Sequence, residues 1–274
     1  MTLRVLITND DGIAAPGIQA LARAAVDRGL DVVVAAPLEE ASGTSAAMSA
    51  VEQDGQVVVR EHPLPGLDGV PAFGVGGSPG FIALIAVHGA FGPPPSVLLS
   101  GINRGANAGR AVLHSGTVGA AFTAAANGCR AMAVSLDVLS AGAATAASGG
   151  AAVAAAALVH DADRHWATAA QVALDLLPRL TAGPTESVLN VNSPDLPFAR
   201  LRGVRRGTLA TFGQVQMTVA ESGHGFVRTA LEEPGEALRP GTDLALLADG
   251  YASVTAVRAV TEVTDADLAG LDAD

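Results

Sequence analysis

The opening of the chain restricts its fold more than any other feature. Leu3 to Ile7 is a compact β-branched run, Pro16 to Arg28 has helical spacing with proline in its first turn, and Val32 to Ala36 is a second apolar run. Strand, helix and strand joined by short loops make a right-handed βαβ unit, which lies on a parallel sheet. The order then repeats. Ala72 to Val75 and Ser96 to Leu99 bracket a helix from Pro79 to Gly89, Gly116 to Asn127 has helical character, and Ala131 to Ser135 reads as the next strand. Asp163 to Leu180 returns to helical periodicity and Val188 to Val191 to strand. The spacing predicts an α/β, Rossmann-like three-layer fold with a mostly parallel sheet buried between helices.

Beyond Arg200 the character changes to short β-type segments, a glycine turn at Gly223 to Gly225 and an acidic, helix-like tail from Asp265. We therefore expect one domain over residues 1–274, with a core to about residue 195 and a C-terminal β/helical extension over about 200–274 used for oligomerisation. Ser140 to Leu158 is dominated by Ala, Gly and Ser. Those residues contribute too little transfer free energy for a membrane span, so the run reads as an insertion.

Acidic residues outnumber basic ones by 27 to 16, giving a net charge of −11. Such a surface repels a nucleic-acid backbone, so polymeric DNA or RNA is not an expected partner. All the basic residues are arginines. The absence of lysine removes Walker A loops, the protein-kinase phosphate lysine, and Schiff-base and pyridoxal-phosphate chemistry, each of which needs an amine. The lone Cys129 lies in an apolar stretch and reads as a small core residue. No CxxC and no His-Glu-x-x-His occurs, against the familiar zinc frameworks. Met1 to Arg4 runs directly into a strand pattern with no apolar signal region, so a cytoplasmic protein without membrane contact is expected.

In a parallel sheet, ligands bind in the crevice beyond the carboxyl ends of the strands. Asp10 and Asp11, Ser42 and Asn103 all fall just after predicted strands, so one rim gathers them. Adjacent carboxylates on a regular strand point to opposite faces, and can share a ligand only where the strand has ended. Gly12 supplies that freedom. Two close carboxylates repel unless a cation lies between them or one takes up a proton. Ala41-Ser42-Gly43-Thr44-Ser45 offers hydroxyls and backbone N–H groups for phosphate oxygens. The third loop adds Asn103 and Asn107, and His114-Ser115-Gly116-Thr117 leads into a helix start, where a phosphate is readily held.

In order, Thr8-Asn9-Asp10-Asp11-Gly12, Ser42 to Ser45, Ser100-Gly101-Ile102-Asn103-Arg104-Gly105-Ala106-Asn107 and Ser115 to Gly119 resemble the motifs of the stationary-phase survival protein SurE family, metal-dependent 5'/3'-nucleotidases. A weaker likeness continues through Leu189 to Pro197 and Gly241-Thr242-Asp243. The resemblance implies that Asp10, Asp11, Ser42 and Asn103 hold one divalent cation per subunit, magnesium or manganese. It implies substrate contacts from Asn9, Gly43, Thr44, Asn107, Ser115, Gly116 and Thr117, with Asp10, Asp11 and Asn107 closest to the chemistry. It also implies hydrolysis of nucleoside 5'/3'-monophosphates or other small phosphate esters to inorganic phosphate, and a homodimer or homotetramer.

This chain departs from the family's pattern before Ser42, where Leu38-Glu39-Glu40-Ala41 stands where relatives usually carry Asp, Asn and Arg, so that a basic group near the mouth has become acidic, and at Arg110-Ala111, where an acidic pair is common. The acidic loop motivates a rival reading, a catalytically weak or silent nucleotide or metal sensor of the same fold. Gly76-Gly77-Ser78-Pro79-Gly80 fits the Gly-x-Ser-x-Gly elbow of a serine hydrolase, but Pro79 has no N–H for an oxyanion hole, and Ser78 reads instead as a helix N-cap. His114, beside the proposed site, suits proton handling or simple packing equally. His160 and His165 need no special role, and Trp166 reads as a core anchor of its helix.

Overall fold

A computed structural model describes residues 2–53, 55–139, 159–213, 216–223, 226–232 and 238–261. The Ser140 to Leu158 run, the centre of the turn at Gly223 to Gly225 and the tail from Asp265 lie outside the described residues.

The expected βαβ opening is present as β1 (Arg4–Thr8), α1 (Pro16–Asp27) and β2 (Asp31–Pro37). Pro16 occupies the first turn of α1, where its missing N–H costs nothing. Two short strands, β3 (Glu52–Gln53) and β4 (Gln56–Val57), pair with each other, and β5 (Val59–Glu61) follows. Next come β6 (Ala72–Val75) and α2 (Pro79–Val87), the latter capped as expected by the Ser78 hydroxyl, which accepts from the Phe81 N–H. β7 (Val97–Arg104), α3 (Gly116–Ala126) and β8 (Arg130–Asp137) continue the alternation. α4 (Trp166–Ala182) and β9 (Val188–Pro194) complete the alternating part of the chain. The rest contains β10 (Val204–Arg206), the hairpin of β11 (Gln216–Gly223) and β12 (Phe226–Glu232), α5 (Asp243–Ala248) and β13 (Ala252–Val257).

Nine strands form one sheet in the order β10-β13-β9-β8-β7-β1-β2-β6-β5. From β6 to β9 all pairs are parallel. The sheet winds outward from β1 in both directions, so β1 and β7 flank a topological switch point. Alternation along β1 sends Val5 and Ile7 to one core, packed with α1 and α4, and Leu6 to the other, packed with α2 and α3. These are the three layers. Gly17 lets α1 approach β7: a Cβ there would stand 2.0 Å from the Ile102 carbonyl oxygen.

Two boundaries differ from the sequence reading. β7 runs on to Arg104 where the apolar run had suggested an end at Leu99, with a register shift between Ser100 and Asn103 and a cis Gly101–Ile102 peptide. The C-terminal segment also contributes to the main sheet. β13 lies antiparallel beside β9 and carries β10 on its other edge.

Candidate active site

The chain turns as soon as β1 ends. Asn9, wholly buried, closes that turn: its Nδ2 donates to the Gly12 carbonyl at 2.9 Å, and the Gly12 N–H donates to its Oδ1 at 3.2 Å. Gly12 has φ of 97°, a conformation that side chains disfavour. Both ends of the Asn9 amide are engaged inside the turn. Asn9, expected at the substrate, closes the turn that carries Asp10 and Asp11.

Four segments meet at Asp10, which is 4% exposed. The Thr117 hydroxyl at the start of α3 donates to its Oδ1. The Ala41 N–H, in the loop after β2, donates to its backbone carbonyl at 2.7 Å. At the end of β7 the Arg104 N–H lies 3.4 Å from Asp11 Oδ2. Gly116 completes the enclosure, since a Cβ there would stand 2.8 Å from Asp10 Oδ2 and 3.0 Å from Thr44 Oγ1. Residues distant in sequence thereby share one rim at the switch point.

Burial pushes the Asp10 carboxyl above its ordinary range, opposed by the Thr117 hydroxyl and by the backbone N–H groups of Thr117 and Gly116. Asp11 is pushed up to about 7, by burial first and then by the charge of Asp10, with Glu40 adding to the rise. A buried acid whose charge opposes ionisation of its half-buried neighbour is an arrangement that a cation relieves. The remaining donors are also oxygens. Ser42 Oγ donates to Glu40 Oε1 at 2.7 Å and so keeps lone pairs, and Asn103 Nδ2 donates to the Gly105 carbonyl at 2.7 Å, so that Oδ1 is the atom of this amide that could hold a metal. No group of three His, Cys, Asp or Glu side chains suited to a metal occurs among the described residues. The donor set of two carboxylates, a hydroxyl and an amide oxygen fits a hard divalent ion.

The loop after β2 packs against the start of α3. Thr44 Oγ1 donates to the Ala41 carbonyl at 2.8 Å, Ser45 Oγ donates to the Leu113 carbonyl at 2.7 Å, and a Cβ on Gly119 would stand 2.1 Å from the Ser45 carbonyl oxygen. Gly43, with φ of 75°, has open space around its Cβ position. Ser115 is an N-cap, accepting from the Val118 N–H at 3.1 Å. Thr117 and Gly116, expected at the phosphate, are engaged with Asp10. The structure places the carboxylate at the anion-favouring end of α3. His114 is exposed beside them.

Asn107 is clamped by residues of the weaker-likeness stretch Leu189 to Pro197, to which the sequence assigned no role, and by Ser135. Asn192 Oδ1 accepts the Asn107 N–H at 2.8 Å, Nδ2 of Asn190 and of Asn192 donates to the Asn107 carbonyl at 2.8 and 3.1 Å, and Asn107 Nδ2 donates to Ser135 Oγ at 3.0 Å. Asp243, fully buried, holds the next turn: its Oδ2 accepts from the Gly109 N–H at 2.7 Å and its Oδ1 from the Ala210 N–H at 2.9 Å. The C-terminal segment therefore braces the loop that carries Asn107. Two polar residues spaced by two on a buried strand, Asn190 and Asn192, were the signal for the clamp.

The family model described as Survival protein SurE matches residues 5–217. The chain belongs to the SurE family. The 5'/3'-nucleotidase SurE of Erwinia tasmaniensis is 32% identical over 260 residues, covering 93% of this chain and 90% of that protein. The 5'-nucleotidase SurE of Aeromonas hydrophila is 32% identical over 278 residues, covering 99% and 98%. In three dimensions the chain is similar to the crystal structure of the SurE protein from Aquifex aeolicus, with a TM-score of 0.71, 25% identity and 93% of each chain covered. The stretch matched by the SurE model takes in all the rim residues and the Asn190–Asn192 clamp, while Asp243 lies beyond it. Among the described residues no helix is long and apolar enough to cross a membrane.

Proposed function

We propose that this chain is a divalent-metal-dependent phosphomonoesterase that hydrolyses nucleoside 5'/3'-monophosphates to nucleoside and inorganic phosphate. The observation that carries the reading is the pair Asp10 and Asp11, two acids held together in a largely buried rim at the β1/β7 switch point and backed by the N-terminus of α3. The names of the relatives from Erwinia and Aeromonas support nucleotides as the substrate class.

Asp10, Asp11, Ser42 and Asn103 would hold the ion, which supplies Lewis-acid neutralisation of phosphoryl charge. The chain's own groups do the rest. Thr117 fixes the orientation of Asp10 through its hydroxyl. Gly116 lets the start of α3 pack directly against Asp10 and Thr44, where any Cβ would collide with them. Asp10, the more buried acid, is the group we assign to accept the proton of the attacking water. Cytoplasmic location and assembly into a homodimer or homotetramer belong to the same reading.

One observation favours a second reading. Glu40 holds the hydroxyl of Ser42 and adds negative charge beside Asp11, which weakens attraction for an anionic substrate and suits a sensor that binds without turnover. Metal-stripped protein tested with AMP, GMP, CMP and UMP separates the two. Phosphate release restored by magnesium or manganese supports the enzyme, and nucleotide binding with no release supports the sensor.

A further inference from the structure

A cavity of about 430 Å³ adjoins the Asp10 rim, within the size range of small-molecule sites. Thr44 belongs to both, lining the cavity while its Oγ1 borders the Gly116 floor next to Asp10. The walls are largely aliphatic, with Leu38, Val51 and Val58, and Val51 is 65% exposed, so the slot presents apolar surface to whatever enters it. No aromatic ring lines it. Its charged groups are two: Glu39, in the loop after β2, and Arg60, in β5, and β6 lies between those two strands in the sheet. Neither the Glu39 nor the Arg60 side chain has an ion pair or hydrogen-bond partner among the described residues.

We propose that this cavity seats the base of a nucleoside monophosphate whose phosphate lies at the Asp10–Asp11 rim, and that Glu39 and Arg60 set a preference for guanine. The proposal rests on the phosphomonoesterase reading of that rim. Guanine presents adjacent N1–H and N2–H donors on one edge and the O6 and N7 acceptors on another. A carboxylate accepts the first pair through two charge-assisted bonds, and a guanidinium fork donates to the second. Adenine puts an unprotonated ring nitrogen where Glu39 needs a donor, and uracil flanks its single N–H with two carbonyls. The aliphatic walls take the ring faces by burial alone.

Two measurements decide it, calorimetric titration with guanosine and with adenosine, and the ratio of kcat/KM for phosphate release from GMP and AMP with magnesium or manganese. Both are made on the full chain and on its Glu39→Gln and Arg60→Ala variants. We expect guanosine to bind about tenfold tighter than adenosine, a matching preference for GMP, and loss of most of that preference in each variant. Phosphate released from both nucleotides without preference, or with a preference that the variants keep, overturns the cavity assignment and leaves the phosphomonoesterase standing. Selective guanosine binding through Glu39 and Arg60 with no release from any ester upholds the cavity and removes the phosphomonoesterase. Absence of both binding and release overturns the two together.

Discussion

Asn107 and Asn192 hold each other reciprocally: the Asn107 N–H donates to Asn192 Oδ1 at 2.8 Å, and Asn192 Nδ2 donates back to the Asn107 carbonyl at 3.1 Å. A side-chain amide on β9 thus mimics a strand neighbour for a loop that has none. Asn192→Ala removes both bonds and leaves the Asn107 N–H without its acceptor. We expect a loss of about 1–3 kcal/mol in urea unfolding. Displacement of the loop should lower phosphate release on the order of a hundredfold. Unchanged stability and turnover would show that the clamp does not position the loop.

Gly116 is required by close approach. Its φ needs no glycine, but a Cβ would stand 2.8 Å from Asp10 Oδ2 and 2.9 Å from Asp10 Cβ. Gly116→Ala should leave α3 helical, since alanine favours a helix by up to about 1 kcal/mol over glycine. The displaced Asp10 should reduce phosphate release on the order of a hundredfold. Circular dichroism together with a turnover assay checks both halves.

Burial pushes the Cys129 thiol up to about 11, with Arg130 opposing the rise. An acid whose folded value is raised binds its proton more tightly when folded. Its contribution to stability is therefore complete below the unfolded value of about 8.5 and is lost as pH rises from there towards 11. Alkylation of the native protein at pH 8 should accordingly be slow, and should accelerate sharply in unfolding concentrations of urea. Rapid labelling of native protein at pH 8 contradicts a buried thiol.

The alternating part of the fold was legible because each element carries its own period. Ala72 to Val75 matches β6, and the helix starts at Pro16, Pro79 and Gly116 fall where proline and serine signals put them. The end of β7 was obscured because Gly101, Asn103 and Gly105 read as loop residues, whereas pairing with β8 resumes at Asn103 after the register shift. The place of β13 was not legible, since a strand's partner is chosen by tertiary packing and no local period encodes it. At the site, glycines and oxygens marked the rim, but the division of labour was hidden. Asn9 closes its own turn, Thr117 holds Asp10, and the supports Asn190, Asn192 and Asp243 lie in the two stretches of weaker family likeness, which carried no sign of what they would hold. His165, read as having no special role, packs its Nδ1 2.8 Å from Asp195 Oδ1. Trp166 is a core residue as expected, with Nε1 donating to the Asp161 carbonyl at 2.8 Å.

The most direct measurement compares the native chain with Asp10→Asn after both have been stripped of metal and then titrated with magnesium or manganese, following heat of binding and phosphate release. The variant amide oxygen can still accept from Thr117, and a neutral side chain is less costly to bury than a carboxylate, so the metal-free variant should melt no lower than the native protein. The account predicts that the native chain binds the ion and recovers turnover, while Asp10→Asn binds it weakly and loses turnover on the order of a hundredfold or more. Equal metal binding and equal phosphate release in the two proteins would contradict it.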